Sequence, residues 1–133
     1  MPLVGIVLVS HSDRLAEGAA DLAAQVGGGT VTVVAAGGTG DGGLGTSASR
    51  IMRGLRLADS GAGVLVLPDL GSAVLTVRAL LADPPGDMPD VNVALADAPF
   101  VEGAVAATVA AAAGADLKMV AAAAEEAWHA RKL

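Results

Sequence analysis

A three-layer α/β/α domain built on a mostly parallel, open sheet is what this sequence predicts. Apolar runs of strand length recur along the chain, the first of them unbroken. Stretches with helical spacing fill the intervals, and glycine, serine and aspartate cluster where the strands end. Strands buried on both faces and separated by helices pair in parallel, with right-handed crossovers.

The first strand is 3–9, LVGIVLV, which has no polar residue to mark a solvent face. A helix follows over 14–26, with Leu15, Ala19, Leu22 and Val26 at helical spacing. Ser12 or Asp13 serves as its N-cap, and the glycines at 27–29 end it. The second strand is 30–36, TVTVVAA, and it runs into the glycine-rich segment GGTGDGGLGT and a helix from Ser47 to Ala58. A third strand covers 63–70 and a helix 72–82, and a fourth strand covers 91–96. The alanine-rich remainder reads as a pair of helices broken at Gly114, the second capped by Asp116 and both close-packed on the sheet or on a second subunit.

Composition narrows the function classes. At 133 residues and 53% hydrophobic, the chain is expected to form a single domain, 1–133, with Phe100 and Trp128 its only aromatic residues. A formal net charge of −6 argues against a nucleic-acid partner, because phosphate backbones are neutralised by clustered Lys and Arg. No apolar run is long enough to span a bilayer and no basic segment precedes the first one, so membrane insertion is not expected and a cytoplasmic protein is. The absence of cysteine removes disulfides and thiolate chemistry.

In an open parallel sheet, ligands bind beyond the carboxyl ends of the strands, where strand order reverses. The polar clusters at these ends are SHS (10–12), GGTGDGG (37–43) and PDLGS (68–72). If the first and third strands are neighbours, His11 and Asp69 face each other. Neutral imidazole is a good nucleophile, and a carboxylate bonded to one ring nitrogen fixes the tautomer that leaves the other free to attack. Attack on an activated phosphoryl group gives a phosphoramidate, which can pass the group on. Backbone N–H groups and hydroxyls at Ser12, Gly38, Thr39, Gly71 and Ser72 are the candidate phosphate-binding donors. No metal is expected, since His11 lacks a His or Glu at ligand spacing and His129 lies in the charged tail EEAWHARKL. The glycine-rich segment is not a dinucleotide fingerprint, because it follows the second strand rather than the first.

The motifs GIVLVSHS (5–12), AAGGTGDGGLGTS (35–47), LVLPDLGSAVL (65–75), APFVEGAVAA (98–107) and AAAGADL (111–117) together resemble the mannose-type IIA proteins of the phosphotransferase system. Within them, the chain looks most like the phosphoryl-donor subunits of phosphoenolpyruvate-dependent dihydroxyacetone kinase. The resemblance implies that His11 is the phosphorylated residue and Asp69 its orienting aspartate. It implies phosphate delivery by the carrier protein HPr and transfer to ADP held on the kinase subunit DhaL, with dihydroxyacetone bound to DhaK. The chain itself would hold no cofactor beyond the covalent phosphate on His11. The resemblance also implies a homodimer, for which the alanine-rich C-terminal helices are candidates. Longer relatives carry HPr-like and enzyme I-like domains after the region corresponding to this chain, so phosphate is expected from free HPr. Two alternatives remain at this point: a IIA component of a mannose-type sugar transporter, and a phosphorylation-dependent regulatory binding module. The ring nitrogen that takes the phosphate is also open.

Overall fold

A computed structural model describes residues 1–133. In chain order the elements are β1 Gly5–Ser10, α1 Asp13–Val26, β2 Val33–Gly37, α2 Ala48–Ala58, β3 Val64–Pro68, α3 Gly71–Ala82, β4 Val93–Leu95, α4 Phe100–Ala112 and α5 Leu117–Glu126, closed by a 3₁₀ turn at Ala127–His129. The four strands form one parallel sheet in the order β2-β1-β3-β4. The expected three-layer arrangement is present. Ile6, Leu8, Leu65 and Leu67 project to one face, where α1, α4 and α5 cover them with Ala19, Ala23, Ala104, Ala107, Val120 and Ala124. Val7, Val9, Val64 and Val66 project to the other, under α2 and α3 with Ile51, Leu55, Val77 and Leu80. Alternation along β1 thus feeds two apolar cores, which is why its sequence shows no polar period.

Strand order and layering together fix the place of the site. From β1 the chain steps outward to β2 through α1 on one face, then crosses back past β1 to β3 through α2 on the other. Change of direction with change of face keeps every crossover of one hand. It also opens a crevice between the carboxyl ends of β1 and β3, at the reversal of strand order.

The Leu15, Leu22 and Val26 stripe expected to anchor α1 does not do so. These side chains are 45%, 47% and 54% exposed, and the buried face is Ala16, Ala19, Ala20 and Ala23. Small residues win because the helix lies too close to its neighbours for leucine. A Cβ placed at Gly37 would sit 2.8 Å from the Ala16 Cβ, and one at Gly27 would sit 2.5 Å from Thr108 Cγ2 on α4. Helix ends follow the capping expectations: Ser12, Ser47 and Asp116 each accept from a backbone N–H in the first turn of α1, α2 and α5. Gly114 ends the α4 segment with φ of +87°, which favours glycine. The strands are displaced or shortened relative to expectation. β1 runs to Ser10, β3 stops at Pro68, and β4 keeps only three residues. Asp69 thereby follows directly on the end of β3, with its carboxylate on Ser10 and His11 at the end of β1.

Candidate active site

Both strands of the crevice deliver their chemistry within one residue of their ends. Val9 pairs with Pro68 in the sheet, and the Asp69 N–H continues the ladder by donating to the Val9 carbonyl at 2.9 Å. His11 and Asp69 are therefore adjacent, as the sequence suggested. The Asp69 carboxylate is 7% exposed and receives four donors. Ser10 Oγ (2.9 Å) and the His11 N–H (3.0 Å) donate to Oδ2, while His11 Nδ1 (2.9 Å) and the Leu70 N–H (2.7 Å) donate to Oδ1. An ionised carboxylate only accepts, so this donor set places the ring proton on Nδ1.

Burial pushes the Asp69 carboxyl upward, but the hydrogen bonds from the His11 N–H, the His11 ring and the Ser10 hydroxyl together outweigh it and hold it below the ordinary carboxylate range. A carboxyl depressed in the fold contributes stability above its unfolded pKa of about 3.9, and that contribution disappears as pH falls through the folded value. The urea midpoint of the wild type is therefore expected to drop more steeply on acidification below about pH 5 than that of Asp69→Asn. Parallel acid profiles for the two proteins would contradict the assignment.

With Nδ1 protonated, Nε2 carries the lone pair. Ser72 Oγ lies 2.6 Å from it and donates its hydroxyl proton. The imidazole is 24% exposed, so Nε2 is reachable from solvent past the Ser72 side chain. Ser72 stands in the first turn of α3, and the backbone N–H groups of Gly71 and Ser72 bond to nothing within the chain. Helix α1 also begins at the site, with Ser12 as its N-cap. The N-terminus of α3 presents partial positive charge to the space beside Nε2, which suits the equatorial oxygens of a phosphoryl group.

The other expected donors are differently placed. The Ser12 N–H is taken by Ser10 Oγ at 3.0 Å, and its hydroxyl oxygen accepts from the Leu15 N–H at 3.2 Å. The Gly38 N–H donates to the Ser10 carbonyl at 3.1 Å, and the Thr39 N–H to Gly43 at 3.3 Å. The Thr39 hydroxyl bonds Asp41, whose carboxyl it holds below the usual range with help from the Gly43 N–H. Gly38 therefore ties the glycine-rich loop to the end of β1, and Thr39 braces the loop internally. Gly38, Gly40, Gly42 and Gly45 all have positive φ, which folds the loop back on itself, and the Gly45 N–H reaches the His11 carbonyl at 2.9 Å.

Ser10 is the site residue that sequence reasoning missed. It is fully buried, and its hydroxyl group joins Asp69 to the Ser12 N–H. The available signal was a polar residue at the inner end of an otherwise apolar strand, a position that burial makes costly unless it is bonded. Leu44, Leu70 and Leu75 are exposed, and Leu70 follows Asp69 directly in the chain.

The chain that carries this imidazole, held by a carboxylate at a switch point, also matches known proteins. The chain belongs to the EIIA-man family, whose model, described as PTS system fructose IIA component, matches residues 5–121. It is 36% identical over 107 residues to a Listeria innocua protein named PEP-dependent dihydroxyacetone kinase 2, phosphoryl donor subunit DhaM, covering 80% of this chain and 85% of that one. It is 40% identical over 126 residues to the Escherichia coli K12 phosphoryl donor subunit DhaM, covering 89% of this chain but only 25% of the relative. Among solved structures, that of EF1359, described as a protein of unknown function, superposes with a TM-score of 0.80 at 34% identity, covering 94% of this chain and 95% of that one.

Proposed function

We propose that this protein is a phosphohistidine carrier that accepts a phosphoryl group from HPr on His11 Nε2 and passes it to ADP held by a DhaL subunit, for phosphorylation of dihydroxyacetone on DhaK. The observation that supports the reading is the His11 ring itself, with Nδ1 2.9 Å from the Asp69 carboxylate and Nε2 2.6 Å from the Ser72 hydroxyl. On loading, the Nε2 lone pair forms the N–P bond while the donor's N–P bond breaks and its electron pair returns to the donor nitrogen. The ring, still protonated on Nδ1, gains positive charge that the Asp69 carboxylate offsets at 2.9 Å. Ser72 and the free N–H groups of Gly71 and Ser72 bind the phosphoryl oxygens. On discharge, a phosphate oxygen of ADP attacks phosphorus, the N–P bond breaks, and the pair returns to Nε2.

Leu70, exposed beside Asp69, suits protein partners that bring the donor and acceptor groups to the partly exposed imidazole. A homodimer belongs to the same reading, with the groove between α4 and α5 lined by Val101, Val105, Ala106 and Ala123 as its candidate face. The working place of such a relay is the cytoplasm, and no helix of the chain is long and apolar enough to cross a membrane.

The test combines the purified protein with phosphoenolpyruvate, enzyme I, HPr, DhaL, DhaK and dihydroxyacetone, and follows formation of the phosphorylated triose. Product that depends on this chain supports the reading. The description of the matching family favours a second reading, the IIA component of a sugar transporter. A phosphorylated protein that discharges to a transporter's IIB domain but not to DhaL-bound ADP would select that one.

A further inference from the structure

Beyond the groups that touch the imidazole, a closed circuit of bonds surrounds it. Ser72 Oγ meets His11 Nε2 at 2.6 Å, and the Ser72 carbonyl accepts from Thr76 Oγ1 at 3.2 Å, one turn along α3. Thr76 Oγ1 meets Thr46 Oγ1 at 2.8 Å, in the glycine-rich loop just before α2. Thr46 follows Gly45, whose N–H returns to the His11 carbonyl at 2.9 Å. Each hydroxyl has one proton, and that of Thr76 is committed to the Ser72 carbonyl, so Thr46 is the donor in the threonine pair. The pair is the side-chain hydrogen bond joining the glycine-rich loop to α3, and both threonines are half-buried.

We infer that Thr46 and Thr76 are positioning residues for phosphoryl transfer: their hydroxyl pair ties the loop to α3 and so holds the Ser72 hydroxyl on His11 Nε2. Neither residue touches the reacting nitrogen. The N-terminal turn of α3 lacks a side-chain cap, because Leu70 occupies the N-cap position and makes no such bond, so the turn that carries Ser72 depends on other restraints. The Thr46 hydroxyl supplies one through Thr76, and Gly45 anchors the opposite end of the same link to the His11 backbone. When phosphorus bonds Nε2, the Ser72 hydroxyl loses its acceptor and turns its proton to a phosphoryl oxygen. The circuit keeps that hydroxyl within reach in both states, so the oxygen meets a donor already in place rather than one recruited from solvent.

The inference rests on His11 as the phosphorylated residue, and its test separates the two claims. The Nε2 nitrogen resonance of His11 is recorded on unphosphorylated wild type, Thr76→Val, Thr46→Val and, as the reference for a lost Ser72 bond, Ser72→Ala. The valine variants keep the shape of threonine without its hydroxyl. Their Nε2 resonances are expected to move from the wild-type position toward that of Ser72→Ala, with phosphoryl uptake from HPr slowed about five- to tenfold, in line with loss of one hydrogen bond's net effect. Thr76→Ser is expected to restore both. Wild-type Nε2 positions in both valine variants, unchanged uptake rates, or failure of both variants to fold would each overturn the inference and leave the pair a structural tie. A wild type whose Nε2 responds to these substitutions but takes up no phosphate would instead remove the proposed carrier function.

Discussion

A His11→Ala protein is expected to take up no acid-labile phosphate from phosphoenolpyruvate, enzyme I and HPr, where wild type is labelled stoichiometrically. The size of the effect follows from the chemistry, because the substituted atom is the nucleophile. No neighbouring group replaces it: in the variant Asp69 still accepts from the Ser10 hydroxyl and two backbone N–H groups, and Ser72 is left a neutral hydroxyl with no base beside it. The fold should survive. Alanine keeps the backbone N–H that bonds Asp69 Oδ2, and Asp69 keeps its bonds from Ser10 and Leu70, so the cost is of the order of one or two net hydrogen bonds, about 1–3 kcal/mol. Circular dichroism and urea unfolding check that point, and acid lability with mass spectrometry checks the label. The informative control is His129→Ala, since His129 is the other histidine of the chain and lies exposed on the C-terminal 3₁₀ turn. Label that persists in His11→Ala and vanishes in His129→Ala would overturn the site assignment.

The architecture was legible because parallel strands write a coarse signal. Apolar runs at 3–9 and 64–67 read as buried on both faces, and the glycine and aspartate signals at Gly114 and Asp116 mark a helix end and a helix start with known chemistry. Adjacency of His11 and Asp69 was expected on the condition that the first and third strands are neighbours, which the sheet order meets. The face of α1 was not legible, because a helix with alanine on one side and leucine on the other offers two apolar stripes. The space left by Gly27, Gly37 and Thr108 chooses between them, and that choice is tertiary. The internal bonding of the glycine-rich loop was not legible for a related reason. Its composition suggests free N–H groups for an anion, but the positive-φ glycines curl it so that the Gly38 and Thr39 N–H groups bond within the chain. Ser10, Thr46 and Thr76 carry no sequence signal of a shared role, since the bonds that give them one span 30 residues or more between threonines and 59 between Ser10 and Asp69.

Asp69→Asn should be the most damaging conservative change at the site, slowing phosphoryl uptake by about 10²–10³-fold, the range seen when one electrostatic partner of a developing charge is lost. The side chain keeps its shape, so the effect is one of donors and acceptors. Aspartate accepts two bonds on each oxygen, from Ser10 and the His11 N–H on one side and from Nδ1 and the Leu70 N–H on the other. Asparagine accepts on one side only. With its NH2 toward the ring, Nδ1 must become the acceptor and the ring proton moves to Nε2, which removes the nucleophilic lone pair. With its NH2 toward Ser10 and the His11 N–H, the tautomer survives, but two donors face a third, and the charge that offsets the phosphorylated ring is gone in either orientation. Long-range nitrogen spectra of the His11 ring distinguish the orientations, and the loss of rate is expected in both. Uptake by Asp69→Asn at the wild-type rate would show that the carboxylate serves only to hold the two strand ends together, and the relay would then have to work without its charge.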